Sequence, residues 1–422
     1  MRVRRLIVVS TVFVFGVGLF LAGRASTSNH PVPTPGPATS SAVKDAFSPF
    51  SVDFSSVARG WTLGMTPCHV RTACLSLRET TNAGRSWSLS ALPQSLLHLA
   101  DRRVQGAPAV LYGTPDSSYT INLNVRFANS HDGWIFGSVA VPTKENGFPS
   151  VTLMPTLWST HDGGRTWKIQ PQSWIDAQSG PVLDLEASSS TVYVMATNKS
   201  FGVTVESSPV GRDSWHVSDS KGLFIPAGGA ALSGAIVLFG PNGWLIEGND
   251  RGITGSAQLN KFGRWVPWTP PCESVGDSLA VPAASTAQHL VVDCVMGGFA
   301  SPLSRTAPRG ATLGSTWLYV SDNAGRTFTA GPELSSSDVN FVSVLASPTP
   351  STIFISRGSA PHQELSASFD GGHDWSVVFV GNVSYVHFVS STEGVALVWP
   401  TKGANQLIMT FDGGYHWLPM SL

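Results

Sequence analysis

The chain is poor in charge. Only 13% of its 422 residues are Asp, Glu, Lys or Arg, and the formal net charge is −1. That is about half the usual charged fraction of a globular protein. The basic residues are scattered, so nothing in the charge favours nucleic acid or an acidic membrane surface. Cysteine is scarce as well, with four residues, and no pair shows Cys-x-x-Cys spacing, which argues against a zinc site. Phosphate-binding loops are missing. Gly228-Gly229-Ala230 and Gly297-Gly298 lack the loop lysine and the helix that would have to follow, and read as turns.

Long apolar runs are absent but for one. Leu6 to Ala22 carries no charge and follows the basic start Met1-Arg2-Val3-Arg4-Arg5, which marks residues 1–25 as a signal peptide or signal anchor. Small Gly23 and Ala25 offer a cleavage site after Ala25; cleavage and retention both stay open, and retention would tether the chain to a membrane. Arginines ahead of the run place the rest of the chain outside the cytoplasm. Residues 26–45 are rich in Ser, Thr, Pro and Ala and read as a spacer. The expected location is extracytoplasmic, membrane-anchored at the cell surface or secreted. In that setting an even cysteine count predicts two disulfides, paired by proximity as Cys68 with Cys74 and Cys272 with Cys294.

Glycine (42) and tryptophan (14) are plentiful, a composition that suits short strands joined by tight turns. One pattern recurs: Ser/Thr, any residue, Asp/Asn, Gly/Ala, Gly, two residues, an aromatic. Full copies run Thr160–Trp167, Ser368–Trp375 and Thr410–Trp417, with Asp162, Asp370 and Asp412 at the third position. Thr80–Trp87 and Ser321–Phe328 carry Asn82 and Asn323 instead, and worn copies end at Trp215 and Trp265. Each lies between short apolar segments, so each is a hairpin turn. The Asp or Asn oxygen accepts backbone N–H groups of the turn. The residue after it takes φ > 0, which favours Gly. The closing aromatic begins the next strand and packs inward. A second element precedes several boxes: Phe54 leads to Gly60-Trp61, Phe127 to Gly133-Trp134, Phe239 to Gly243-Trp244 and Phe388 to Gly394-Val395.

Successive box aromatics stand 80, 48, 50, 63, 47 and 42 residues apart, mostly the length of a four-stranded propeller blade. Such blades hide their faces only by stacking into a closed ring. The longer gaps call for insertions, near Leu96 to Tyr119 and Gly297 to Gly314. The expected fold is all-β: a single seven-bladed β-propeller over residues 46–422. The box resembles the Asp-box of bacterial neuraminidase repeats, sortilin-type receptors and xyloglucanases. The combined Phe…Gly-Trp and box unit is most similar to propellers of the photosystem II stability/assembly factor-like family. In families with this box the Asp residues are structural, which that resemblance implies here too.

Catalytic readings fit poorly. A sialidase needs three arginines, a Tyr–Glu pair and an acid/base Asp, but Arg85, Arg165 and Arg326 share one outward box position. The dipeptides His131-Asp132, His161-Asp162 and His373-Asp374 sit beside turn glycines. Asp53, Asp184, Asp277 and Asp338 lie near blade starts, where they approach the channel or cap strand ends. Trp174, Trp268 and Trp399 lie outside the boxes, as ligand platforms or blade-interface filling. No catalytic, cofactor-binding or metal-ligating residue is nominated. The leading expectation is a non-catalytic binding or assembly module presenting a propeller face to a protein; the alternative is a secreted glycan-active or glycan-binding propeller.

Overall fold

A computed structural model describes residues 47–69, 72–96, 121–145, 148–170, 182–197, 202–218, 233–249, 252–272, 278–296, 316–334, 344–357, 363–400 and 403–422. Residues 1–25 and 26–45, most of the Leu96–Tyr119 and Gly297–Gly314 insertions, Trp174, Asp277 and Asp338 lie outside them.

The compact unit Asp45–Leu422 holds seven four-stranded antiparallel sheets, each built from consecutive strands. These are blades one to seven in chain order. Their first strands are Ser48–Phe54, Ile121–Phe127, Val182–Ala187, Ser233–Phe239, Ser278–Ala284, Leu345–Thr349 and Val383–Phe388. First strands of successive blades touch one another from blade one to blade seven, and the first strand of blade one meets the second and third strands of blade seven, so the first strands line the centre. Fourth strands such as Ser88–Ser90 and Leu418–Pro419 are mostly exposed at the rim. Blade seven meets blade one without strand exchange: the Asn405 backbone N–H donates to Ser48 Oγ at 3.0 Å, and its side-chain amide donates to the Pro49 carbonyl at 3.0 Å.

The Phe…Gly element has a steric origin. A Cβ at Gly133 would stand 2.4 Å from the Phe127 ring, and one at Gly60 would stand 2.6 Å from Phe54. The ring folds over its own blade's second strand, and only glycine leaves room. Phe127 then stacks on Trp61 of the preceding blade, with centroids 3.5 Å apart and planes 6° apart. Blade four departs from this expectation. Its first turn is shorter, with Phe239 paired directly to Asn242. The alternation therefore turns Phe239 outward, 40% exposed, and Leu238 covers Gly243 instead.

In the box of blade two, Asp162 Oδ1 accepts the backbone N–H groups of Arg165 at 3.0 Å and Thr166 at 2.9 Å, and the hydroxyl of Thr160 at 2.9 Å. Asn323 accepts the Arg326 and Thr327 amides in the same way, because the amide keeps the acceptor oxygen. Except in blade four, where the worn box bonds within itself, the boxes also grip the first turn of their own blade. Gly163, Gly371 and Gly413 donate to the carbonyls of His131, Ser351 and Thr392 at 2.8 Å. The box tryptophans Trp87, Trp167 and Trp375 are only half-buried. They are pinned by indole N–H bonds to the carbonyls of Gly84, Gly164 and Gly372. Trp417 is buried and makes the matching bond to Gly414. In the worn boxes Trp215 is half-buried and Trp265 fully buried, while Phe328 is half-buried against Trp268.

The disulfide Cys272–Cys294 joins the residues after the fourth strand of blade four (Trp265–Pro267) to the second strand of blade five (Leu290–Met296). Cys74 is also disulfide-bonded; the Cys68 side chain lies outside the described residues.

Candidate functional site

The first strand of a blade has hydrogen-bonded neighbours on one side only, since it is the inner edge of its sheet. Alternate side chains then point toward the next blade or the channel. One register position repeats around the ring. Asp53 pairs with Trp61, Arg126 with Trp134, Glu186 with Tyr193 and His387 with Val395. Blades four and five place Val237 and Ala283 there, opposite Trp244 and Val291. Four consecutive blades, seven through three, therefore form a polar arc, and the next two begin an apolar one.

Arg126 is the hub of the polar arc. Its Nη1 donates to Asp53 Oδ1 at 3.3 Å and to the Tyr385 hydroxyl at 3.0 Å; its Nε donates to the Leu185 carbonyl at 3.4 Å. Its Nη2 pairs with Glu186 Oε1 at 2.9 Å. One guanidinium thus ties blades one, two, three and seven. Burial opposes its charge, but Glu186, Tyr385, Asp53 and Asp184 outweigh that and raise its pKa further.

Two carboxylates near blade starts do reach the centre, and both are engaged. Asp53, 2% exposed, accepts the backbone N–H of Phe127 in blade two at 2.6 Å. Asp184 accepts that of Ile236 in blade four at 2.7 Å. They act as staples, each satisfying an edge amide of the next inner strand that its own sheet leaves unpaired. Burial pushes the Asp184 carboxyl up. It pushes Glu186 up to about 8, against the pull of Arg126 and with help from Asp184 and Asp53. Burial likewise raises the Tyr385 hydroxyl to about 12 and lowers His387.

A cavity of about 530 Å³ opens beside this cluster. Arg126, Glu186, Tyr385 and His387 line one side; Ile236 to Phe239, Pro282 to Ala284, Leu345 and Ala346 line the other. Val389, Ser390 and Ser391 from the first turn of blade seven also contribute. The cavity therefore sits at the channel mouth on the face carrying the first turns and the boxes.

The box residues Asn82, Asp162, Asn323, Asp370 and Asp412 stand at the outer turns, away from this cavity's lining. Arg85, Arg165 and Arg326 are exposed. Among the described residues no group of three or more His, Cys, Asp or Glu is placed to hold a metal ion. Trp268 fills a blade interface, donating to the Gly325 carbonyl at 2.9 Å. Arg126, Glu186, Tyr385 and His387 were not singled out from the sequence. A signal existed: Asp53, Arg126 and His387 each directly precede the phenylalanine of the Phe…Gly element.

No family model matches the chain, and no curated protein matches it. Solved structures do. The BP39L lectin from Burkholderia pseudomallei is 11% identical with a TM-score of 0.51, covering 89% of this chain and 100% of the lectin. YCF48 bound to D1 peptide is 16% identical, TM-score 0.49, covering 88% and 93%. A PL25 ulvan lyase is 9% identical, TM-score 0.48, covering 90% and 96%. At these identities the likeness speaks to fold alone. The lectin likeness agrees with the seven four-stranded sheets in showing a seven-bladed β-propeller fold, whose turns between third and fourth strands have Asp-box geometry.

Proposed function

We propose that the protein is a non-catalytic, extracytoplasmic binding module whose channel mouth on the box face receives a segment of a protein partner. Residues 1–25 would hold it at the cell surface, or release it once cleaved. The observation carrying this reading is the commitment of the central carboxylates. Asp53 and Asp184 are bonded to backbone amides, and Glu186 to Arg126. Neither aspartate is free to attack a substrate or activate water. What the cavity offers is a fixed polar arc against an apolar one, the make-up of a recognition site.

A glycan-active reading has one feature in its favour. Glu186 faces the cavity with its carboxyl raised to about 8, as a general acid requires. One experiment separates the two. The protein is screened against a displayed peptide library and, in parallel, against aryl glycosides and polysaccharides. Selected peptides that lose binding to Leu238→Asp support the module. Glycan cleavage abolished by Glu186→Gln would replace it with the enzyme.

A further inference from the structure

We propose, on the reading just given, that the segment entering the channel mouth presents a protonated amine, a lysine side chain or an amino terminus, flanked by apolar side chains. Arg126 looks like an anion clamp but is already spent. Four of its five N–H groups are used by Leu185, Asp53, Tyr385 and Glu186. An incoming carboxylate would meet at most one donor and would lie against Glu186.

The cluster is short of positive charge. Asp53, Asp184 and Glu186 surround a single guanidinium. His387 Nδ1 stands 4.0 Å from Asp53 Oδ1, and burial, lowering its pKa, keeps the ring from supplying a counter-charge. Burial is the main push upward on Glu186, and the charges of Asp184 and Asp53 add to it. The arc is also unsatisfied, since His387 Nδ1 is buried without a hydrogen-bond partner. Glu186, its side chain 26% exposed, is the carboxylate that an ammonium group entering the cavity would meet. Opposite it, Leu238, Ala283 and Leu345 offer no hydrogen bonds. Ser285 and Ser347 border these residues, but the apolar stretch itself returns nothing to a sugar hydroxyl stripped of water, whereas an alkyl or aryl body gains there by burial. A volume of about 530 Å³ suits one such group.

The test uses calorimetry on the full-length protein in detergent at about pH 8.5, above the value to which burial raises Glu186 and below that of an alkylammonium. The probes are acetyl-Leu-Lys-Leu-amide, free 2-phenylethylamine, phenylacetate and 2-phenylethanol. The lysine peptide and the amine are expected to bind, with phenylacetate and phenylethanol weaker by roughly tenfold or more. Glu186→Gln should weaken amine binding by roughly tenfold. Phe239→Lys, at an exposed rim position that tolerates substitution, should do the same by placing a cation in the mouth; melting curves verify that both variants fold. Phenylacetate or phenylethanol binding as tightly as the amine would overturn the charge assignment while leaving the binding module standing. Amine bound without the peptide would overturn the protein source in favour of a small molecule. Library-selected peptides that occupy the cavity without any cationic group would overturn the inference and keep the module; no binding by any probe or peptide would remove both.

Discussion

Arg126 of blade two donates to the Tyr385 hydroxyl of blade seven at 3.0 Å, across 259 positions of sequence and with blade one between them. The bond spans the centre of the ring, and its guanidinium also holds Asp53 and Glu186. Arg126→Ala is expected to cost about 3–5 kcal/mol, because it strands buried carboxylates. Arg126→Lys should recover only part of this, since an ammonium cannot reproduce the fork. Tyr385→Phe should cost about 1 kcal/mol. Urea unfolding measures all three, and a loss below about 1 kcal/mol for Arg126→Ala would show that the guanidinium is not a tie.

The ring over Gly133 makes a second case. Gly133→Ala should destabilise by about 1–3 kcal/mol through overpacking, since its Cβ would lie 2.4 Å from Phe127. Adding Phe127→Leu should return part of that loss. If the two substitutions simply add in denaturant melts, the contact is not the cause.

Boxes differ at one backbone position. Ala83 and Ala324 have φ of 59° and 61°, where Gly163, Gly371 and Gly413 have 79° to 80°. A side chain in this left-handed region costs about 1–2 kcal/mol, partly offset by the chain entropy that glycine loses, about 0.4–1 kcal/mol. Ala83→Gly should therefore stabilise by up to about 1.5 kcal/mol. Gly163→Ala should destabilise. Thermal melts of the pair check opposite signs.

Two groups of carboxyls set opposite pH limits. Burial resists the charge on Asp162, but hydrogen bonds from Thr166, Thr160 and Arg165 hold its pKa at about 2; Asp370 and Asp412 are also lowered. Depressed groups add stability above their unfolded pKa, and lose it as pH falls from about 4 toward 2. Burial raises Glu247 to about 7, with only Thr254 pulling the other way, and raises Glu186 to about 8. Their stabilisation is complete below about pH 4.5 and fades as pH rises through 7 to 8. The melting temperature should peak near pH 5 and fall between pH 5 and roughly 8.5. Glu247→Gln should flatten the alkaline limb. An unchanged profile in that variant would sink the assignment.

The Cys272–Cys294 bond closes a separation of 22 residues between blades four and five. Replacing both cysteines by Ala should cost about 3 kcal/mol. The native protein should show no reactive thiol, as the described cysteines are all bonded. Thiol titration in denaturant without reductant reads this directly.

The repeat was legible in the sequence because its causes are local. A turn needs its acceptor and its left-handed residue within a few positions of each other, as Thr160, Asp162 and Gly163 show. Gly60 and Gly133 are likewise fixed by a phenylalanine six residues earlier. Strand order, blade length and ring closure follow from those units. The first turn of blade four sets Phe239 apart from Phe54 and Phe127, since only two residues separate it from its strand partner where five do in blades one and two, and an odd difference reverses the alternation.

The centre was legible only as far as Asp53 and Asp184, carboxylates at blade starts that do reach it. Its partners Arg126, Glu186, Tyr385 and His387 stand up to more than 300 positions from Asp53, and each looks like an ordinary polar residue of a short strand. By itself the sequence determined the turns, the sheets and the closed circle, because backbone geometry and local hydrogen bonds suffice for them. Only the tertiary structure decided that these five side chains meet and that apolar residues face them. Ring closure sets distant inner strands side by side, and burial there makes charges act on one another.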